Sequence, residues 1–161
     1  MQWRAMLEAD MAAVLALADL VHPELPESAE VLAEKRSLWP RGCRVLTGPE
    51  GGLQGYVFSH PIAAGQPPAL NALMGTLPQA PDQYYLHDLV LHPGLRGGGY
   101  ARSVITALLQ EAADFRSAAL ISVYGTGGFW QRFGFTESDS ISPGKLSAYG
   151  SDAVWMTRPL P

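Results

Sequence analysis

Apolar residues recur at helical spacing in three long stretches of the chain. The first predicted helix has Asp10 as its N-cap and continues to Val21, and the second begins after Ser28 and ends before Pro40–Gly42. The third, Gly98–Phe115, has the strongest pattern, because its apolar residues share one face and its polar residues the other. The pattern therefore predicts three longer helices, the last of them strongly amphipathic.

Six further segments have the composition of β-strands and are bounded by turn residues. Only Gly48–Gly52 separates the second from the third, which predicts an antiparallel hairpin. The fourth is apolar almost throughout, as in a strand that is covered on both faces, and is interrupted only by His87 and Asp88. A short helix is predicted over Gly128–Phe133. The predicted strands are Gln2–Met6, Arg44–Thr47, Leu53–Phe58, Tyr84–His92, Ala118–Tyr124 and Ala153–Thr157.

The order of these elements predicts an α/β fold with a mixed sheet. The fourth strand, the amphipathic helix and the fifth strand follow one another, and a right-handed crossover of this kind makes the two strands parallel. The hairpin adds antiparallel strands to the same sheet. We therefore predict a mostly antiparallel central sheet with one parallel pair and flanking helices. A chain of 161 residues is of the right size for a single domain over residues 1–161.

One long segment, Pro61–Pro81, contains no predicted helix or strand. It holds five of the 13 prolines of the chain, so it cannot form more than about a turn of helix. Long ordered loops in compact domains are usually functional. We therefore predict that this loop forms a wall of a binding site.

Composition excludes several classes of protein. The chain has 11 Lys+Arg against 15 Asp+Glu and no basic cluster, which argues against binding to nucleic acid. Its longest apolar run, Met11–Ala18, is too short to cross a bilayer, and its N-terminus lacks the pattern of a secretory signal. A single cysteine, Cys43, excludes an internal disulfide, and we interpret it as a small buried hydrophobic residue. We expect a cytoplasmic protein that binds no membrane.

A glycine-rich turn within Leu89–Ala101 links the fourth strand directly to the amphipathic helix. Such a turn presents backbone N–H groups at the positive end of the helix, and glycines let a phosphate approach them closely. The turn lacks the lysine of a P-loop, and the next strand lacks the acidic residue of a dinucleotide-binding fingerprint. A different kind of phosphate site is predicted, unless the glycines only make a tight turn.

This turn resembles the acetyl-CoA signature of the GNAT N-acetyltransferase superfamily, Gln/Arg-x-x-Gly-x-Gly/Ala. The segment Arg96–Ala101 matches it at every specified position. The lead-in Leu91–Pro93 precedes it, and Gly128–Phe135 follows, similar to the family's aromatic-x-x-aliphatic-Gly-Phe ending. With the first strand and the first two helices, the resemblance covers about residues 2 to 158.

The resemblance implies a ligand and a place for it. In the family, the two parallel strands splay apart and the thioester of acetyl-CoA lies between them. Backbone amides of the glycine turn would hold the pyrophosphate, and the end of the fourth strand would pair with the pantetheine. Phe129 and Trp130 could lie on the pantetheine or pack into the core. No metal is expected. The implied cofactor-binding residues are Leu89, Val90, Leu91, Arg96, Gly97, Gly98, Gly99, Tyr100, Ala101, Phe129 and Trp130.

Direct transfer of the acetyl group requires a group that takes a proton from the acceptor amine, because an ammonium is not nucleophilic. His87 and Asp88 lie where the family often carries acidic residues. Because side chains alternate along a strand, we predict that only one of them faces a given side, and we favour Asp88 as the base. Either could instead be structural. His22, His60 and His92, each near a proline, are interpreted as loop residues.

The departing thiolate raises the question of a general acid. Many family members have a tyrosine where this chain has Trp130, and an indole N–H is not a general acid. Three alternatives stay open: Tyr124 supplies the proton, water supplies it, or no acid is needed. Tyr124 could equally be a packing residue.

Two hypotheses of different classes follow. The first is an N-acetyltransferase in which a primary amine attacks acetyl-CoA directly in a ternary complex. The second, prompted by Trp130, is a non-catalytic module that binds or senses acyl-CoA. A nucleotide enzyme is disfavoured. The sequence does not identify the acceptor amine: Glu24 and Glu27 could attract it, or they could be solvated surface acids. It also leaves open whether the protein forms a homodimer.

Overall fold

The structure, a computed structural model, describes residues 1–161. The order of its strands and helices follows the sequence prediction, with one additional short strand, β6. Four short 3-10 helices, Glu8–Asp10, Pro40–Gly42, Pro93–Leu95 and Ser147–Tyr149, lie between them. The strands and helices are β1 (Gln2–Ala5), α1 (Met11–Val21), α2 (Ala29–Leu38), β2 (Cys43–Thr47), β3 (Leu53–Ile62), β4 (Gln83–Leu91), α3 (Tyr100–Glu111), β5 (Ser117–Ser122), α4 (Gly127–Gln131), β6 (Thr136–Glu137) and β7 (Val154–Pro159).

All seven strands form one sheet in the order β1-β2-β3-β4-β5-β7-β6. Strands β4 and β5 are parallel, and every other neighbouring pair is antiparallel. The predicted α/β fold, a mostly antiparallel sheet with one parallel pair and flanking helices, is confirmed. No helix combines the length and the apolar character needed to span a membrane.

Helices cover both faces of the sheet, and side-chain alternation along the strands assigns each residue to one face. On the face covered by α1 and α2, Val14 and Leu32 pack with Tyr56 and Phe58 of β3. On the opposite face, residues of α3 such as Ile105 pack with β3, β4 and β5. We call these the α1 face and the α3 face.

Strand β4 contains a β-bulge beside the residues predicted to be catalytic. Two consecutive residues of β3 pair with Leu86 and Asp88, so that His87 has no partner on β3. An extra residue of this kind interrupts the alternation of side chains. His87 and Asp88 therefore both lie on the α1 face, where both contact the segment that joins α1 to α2. The prediction that only one of them could face a given side is wrong, because it assumed a regular strand.

The parallel pair separates within the sheet. Residues Gln83 to Leu86 of β4 pair with Ser117 to Leu120 of β5, and no pairing between these strands continues beyond Leu86. Strand β4 nevertheless extends to Leu91, paired on its other side with β3. The two strands are therefore splayed at their ends, as the sequence comparison with the family implied.

Three local predictions change in detail. Asp10 is the residue before α1, but its side chain does not cap that helix; it accepts hydrogen bonds from Arg4 and from the Leu7 amide. His60 was interpreted as a loop residue, yet it is buried in β3, which extends to Ile62. The proline-rich loop therefore occupies residues 63–82 and has no helix or strand.

Candidate functional site

A cleft of about 700 Å³ lies where β4 and β5 separate. It reaches both faces of the sheet, since its lining includes His22 and Leu25 near the end of α1 as well as Tyr100 and Phe133 on the α3 face. Leu89, Val90 and Leu91 of β4 also line it. The backbone of these three residues on the side of β5 has no strand partner, so it can accept an extended ligand as an additional strand.

The glycine turn lies at one end of this cleft, at the N-terminus of α3. Gly97 and Gly99 have φ angles of 85° and 81°, which are unfavourable for residues with a Cβ. No atom lies within 4 Å of the position that a Cβ would occupy on either glycine, so the space above the turn is open. The N–H groups of the first turn of α3 have no carbonyl partner within the helix. The turn is therefore shaped to hold a phosphate.

The charge around the turn has the sign that a phosphate requires. Arg96, Arg102 and Arg132 all line this end of the cleft. The guanidinium groups of two of them stack on aromatic rings, Arg102 over Phe133 at 5.1 Å and Arg132 over Phe129 at 5.3 Å from the ring centroid. These three arginines thus place positive charge beside the N-terminus of α3. An anionic ligand such as a CoA pyrophosphate fits this set of groups.

Phe129 and Trp130 of α4 form the aromatic side of the cleft. Their rings are 4.9 Å apart in an edge-to-face arrangement, and both also pack against the core of the α3 face. The two alternatives left open by the sequence, contact with the ligand cleft and packing into the core, are thus both compatible with where the rings lie.

A chain of hydrogen bonds occupies the α1 face of the cleft. His22 Nε2 is 2.9 Å from Asp88 Oδ1, and His22 Nδ1 is 3.1 Å from the Tyr124 hydroxyl. Tyr56 donates its hydroxyl hydrogen to the other carboxylate oxygen of Asp88 at 2.6 Å. Because a carboxylate can only accept, Nε2 carries the hydrogen, and Nδ1 of a neutral ring accepts the hydrogen of the Tyr124 hydroxyl. Asp88 therefore orients His22 and leaves its basic nitrogen toward Tyr124 and the cleft.

The surroundings of this chain change how its members titrate. Burial alone lowers the pKa of His22, but the hydrogen bond and charge of Asp88, helped by Glu27, more than offset this, and the pKa is raised above 6.5. Burial and the neighbouring Asp88 raise the pKa of Tyr56 well above 10. The pKa of Tyr124 is also raised, first by partial burial and then by nearby carboxylates. Both tyrosines therefore stay protonated at neutral pH, and the surroundings of His22 favour its protonated form.

His87 has a different partner from Asp88. Its Nε2 lies 2.6 Å from a carboxylate oxygen of Glu27, and the two side chains are only 2% and 8% exposed. Although burial raises the pKa of Glu27, the charge and hydrogen bond of His87 more than offset this, and the pKa falls to about 2. Glu27 is thus a buried hydrogen-bond partner of His87 and not a solvated surface acid.

Sequence reasoning missed the roles of three residues of the site: His22, Tyr56 and Glu27, which is hydrogen-bonded to His87. His22 lies in the loop that follows α1, as predicted, but its contacts with Asp88 and Tyr124 were not predicted. The only signal in the sequence was its position at the end of an amphipathic helix next to Pro23. Cys43 is buried as predicted, and burial raises the pKa of its thiol to about 12.

No cluster of three or more His, Cys, Asp or Glu side chains has the arrangement of a metal site. Tyr149 lines the cleft close to the α1 face and is 7% exposed.

Comparisons with known proteins agree with this geometry. A model of the acetyltransferase (GNAT) family matches residues 14–135 of the chain. No curated protein sequence matches it. Among solved structures, the loading GNATL domain of CurA from Lyngbya majuscula is 14% identical with a TM-score of 0.81, over 98% of this chain and 96% of that one.

Two further structures show the same fold over nearly the whole chain. The GNAT-like decarboxylase GphF, determined with isobutyryl-CoA, is 19% identical with a TM-score of 0.80, and the match covers 100% of both chains. Naa20 of Chaetomium thermophilum, determined with a bisubstrate analogue, is 18% identical with a TM-score of 0.71, over 99% of this chain and 87% of that one.

Proposed function

Because this chain belongs to the acetyltransferase (GNAT) family, we propose that it transfers the acetyl group of acetyl-CoA to a primary amine by direct attack in a ternary complex. The observation that carries the proposal is the position of His22. It is hydrogen-bonded to Asp88 and faces the cleft between the splayed strands β4 and β5.

The α3 face of the cleft supplies the binding of acetyl-CoA. The amides of the glycine turn and the first turn of α3 hold the pyrophosphate, with Arg96 and Arg102 beside it. The unpaired backbone of Leu89–Leu91 binds the pantetheine amides as a neighbouring strand would. These groups fit the ligand because the turn is open above Gly97 and Gly99 and the strand edge has no protein partner.

His22, rather than Asp88, is the general base in this proposal. Each oxygen of Asp88 already accepts a hydrogen bond, from Tyr56 or His22, whereas Nδ1 of His22 lies at the more exposed end of the chain, beside Tyr124. The amine takes the place of the Tyr124 O–H at Nδ1 of neutral His22, and Nδ1 accepts the amine proton as the new C–N bond forms. Asp88 stabilises the resulting imidazolium, which is why it raises the pKa of the ring.

The same histidine can complete the proton transfer. When the C–S bond breaks, its electron pair remains on sulfur, and the proton on Nδ1 moves to that thiolate. An imidazolium is a stronger acid than a thiol of pKa about 8.5, whereas a tyrosine with a pKa above 10 is weaker. His22 therefore carries the proton from nitrogen to sulfur. Tyr124, 3.1 Å from Nδ1 and stacked on the ring, is a positioning residue.

The charge of the α1 side favours a basic acceptor. Asp19, Glu27 and Asp88 line it, and no lysine or arginine does. This charge distribution favours an ammonium group, which loses its proton on binding, and disfavours an acyl group with its own carboxylate. The decarboxylase reported for one similar structure is therefore not the activity that the cleft supports best.

The test is a panel of primary amines incubated with acetyl-CoA while free thiol is measured. We expect thiol release with at least one amine, an acetylated product that is heavier by one acetyl group, and loss of both with His22→Ala. A parallel sample with malonyl-CoA and no amine detects decarboxylation. Loss of CO2 from that sample, without acetylation of any amine, would overturn the proposal.

The non-catalytic alternative makes a distinct prediction for the same samples. Acetyl-CoA should raise the melting temperature in either case, because any ligand of the native state stabilises it. A module that only binds acyl-CoA would show this stabilisation but no thiol release with any amine. The difference between stabilisation and turnover therefore separates the two functions.

A further inference from the structure

The proline-rich loop, residues 63–82, is attached to the segment between α1 and α2 by side chains from both. The backbone N–H of Ser28 donates to Asn71 Oδ1 at 2.7 Å, and the backbone N–H of Asn71 donates to Glu27 Oε2 at 3.1 Å. Asn71 has a φ of 58°, in the left-handed region. These reciprocal hydrogen bonds hold the middle of the loop against the start of α2.

A second carboxylate holds the loop a few residues further on. Glu34 of α2 accepts hydrogen bonds from the backbone N–H groups of Met74 and Gly75, at 2.6 and 3.0 Å. Glu27 and Glu34 thus both accept hydrogen bonds from backbone N–H groups of the loop. They differ in one respect: Glu34 contacts only the loop, whereas the remaining oxygen of Glu27 contacts His87 of β4.

We propose that Glu27 is a positioning residue that joins the proline-rich loop to the bulge of β4 and thereby fixes the wall of the acceptor site. One carboxylate contacts three segments: its own, the loop through Asn71 and the strand through His87. The bulge residue precedes Asp88, which orients His22, and Leu70 of the loop lines the cleft.

The chemistry of the junction requires a carboxylate. Both partners of Glu27 are N–H donors, and a carboxylate accepts from both. A glutamine has one acceptor oxygen, so its NH2 group faces either the Asn71 N–H, which cannot accept, or His87, which can accept at Nε2 only after its hydrogen moves to Nδ1. The Glu27 side chain is 8% exposed, which leaves little access for water to replace the missing bond. Glu27→Gln therefore weakens the attachment of both segments, because both hydrogen bonds lose the negative charge of their acceptor and one of them also loses its donor–acceptor match.

Hydrogen exchange tests the junction without any assay of activity. In Glu27→Gln we expect faster exchange both at Asn71 and in β4 around His87 and Asp88. The matched control is Glu34→Gln, which should accelerate exchange only at Met74 and Gly75. Unchanged exchange in β4 of folded Glu27→Gln, or the same acceleration in both variants, would overturn the proposal.

Kinetics test the consequence for the acceptor, which rests on the proposed function. Loss of one buried hydrogen bond of about 1.4 kcal/mol should raise KM for the acceptor amine about tenfold, and KM for acetyl-CoA should stay within about twofold. Glu34→Gln should change acceptor KM less than about threefold. An equal rise in both KM values for Glu27→Gln would contradict a specific effect on the acceptor wall.

If Glu27→Gln does not fold, a second variant, Asn71→Gly, tests the attachment of the loop. Asn71→Gly removes only the side chain that Ser28 contacts, and glycine accepts the left-handed backbone at this position. We expect faster exchange at Ser28 and a rise in acceptor KM of a few fold, and no change in either would overturn the proposal. If the wild type acetylates no amine, the proposed function fails, while the exchange experiment still decides whether Glu27 joins the loop to β4.

Discussion

The two sides of the cleft are built differently. On the α3 face, the groups that fit acetyl-CoA come mainly from one continuous segment, residues 89–102, and many of them are backbone atoms. On the α1 face, the hydrogen-bonded chain joins side chains that are 32, 66 and 102 residues apart in the sequence. Ligand binding thus depends on local backbone geometry, whereas the proposed proton transfer depends on contacts that only the complete fold creates.

This difference predicts that substitutions on the two sides alter different constants. Changes on the α1 face should reduce kcat and leave the affinity for acetyl-CoA intact. Changes in the glycine turn should weaken the affinity for acetyl-CoA and leave kcat intact. Four variants test the comparison.

The largest effect is expected for His22→Ala. Without the base, kcat should fall by about 10² to 10⁴-fold, the usual contribution of general base catalysis, and the affinity for acetyl-CoA should not change. Steady-state kinetics with varied acetyl-CoA measure both. His92→Ala is the matched control, because His92 is exposed and contacts only the Gly94 amide. A kcat within threefold of wild type in His22→Ala would remove this histidine from the mechanism.

Asp88→Asn should have the next largest effect. Loss of a charged hydrogen bond of about 1.5 to 3 kcal/mol predicts a decrease in kcat of about 10 to 100-fold. The pH profile is more specific. Asp88 raises the pKa of His22, and activity requires the neutral ring, so the wild-type rate should rise with pH through that raised pKa. In Asp88→Asn the same limb should move to lower pH, a shift that a direct catalytic role of Asp88 would not produce.

The same pair predicts how stability depends on pH. The folded-state pKa of His22 is above its unfolded value of about 6.5, so protonated His22 stabilises the native state. That stabilisation should be complete below pH 6.5 and lost as the pH rises through the folded-state pKa. Unfolding in urea at several pH values should show this loss in the wild type and not in His22→Ala.

Gly99→Ala should have a smaller effect, and on the other side of the cleft. A residue with a Cβ at a φ of 81° is strained by about 1 to 2 kcal/mol, so the turn should shift and acetyl-CoA affinity should fall about tenfold. Calorimetric titration with acetyl-CoA measures it, and kcat at saturation should stay close to wild type. Gly127→Ala is the control, since Gly127 has open space and no left-handed φ. Equal affinities in the two variants would refute the proposed phosphate site.

Tyr124→Phe should have the smallest effect, about a threefold decrease in kcat. The hydroxyl holds His22 Nδ1 in place, but the ring still stacks on the imidazole and the thiolate receives its proton from His22. A decrease of about 100-fold would instead make Tyr124 the general acid.

The contrast between the two sides also explains what could be predicted from the sequence. The mixed sheet, the amphipathic α3 and the glycine turn follow from periodicity and from a short motif, because each is determined by neighbouring residues. The α1 face does not, because nothing near His22 in the sequence indicates that Asp88 and Tyr124 will be its partners. Glu27 was indistinguishable from a surface acid until the fold brought His87 to it.

For a related reason, the sequence did not predict that His87 and Asp88 lie on the same face of the sheet. Alternation along a strand is a local rule, and a bulge is detected only from pairing with the next strand. The residue types of His87 and Asp88 gave no sign that one of them was extra.

The bulge at His87 places one extra residue of β4 at the point where the cleft opens. It lies directly after Leu86, where the pairing of β4 with β5 ends, and bulges bend a strand and increase its twist. Deletion of His87 would align Leu86 and Asp88 with consecutive residues of β3 in regular register, and Asp88 would keep its face. The straightened strand could then pair with β5 beyond Leu120. In genetic terms, we expect a single in-frame codon to separate a sheet with an open slot from a sheet in which β4 and β5 pair further.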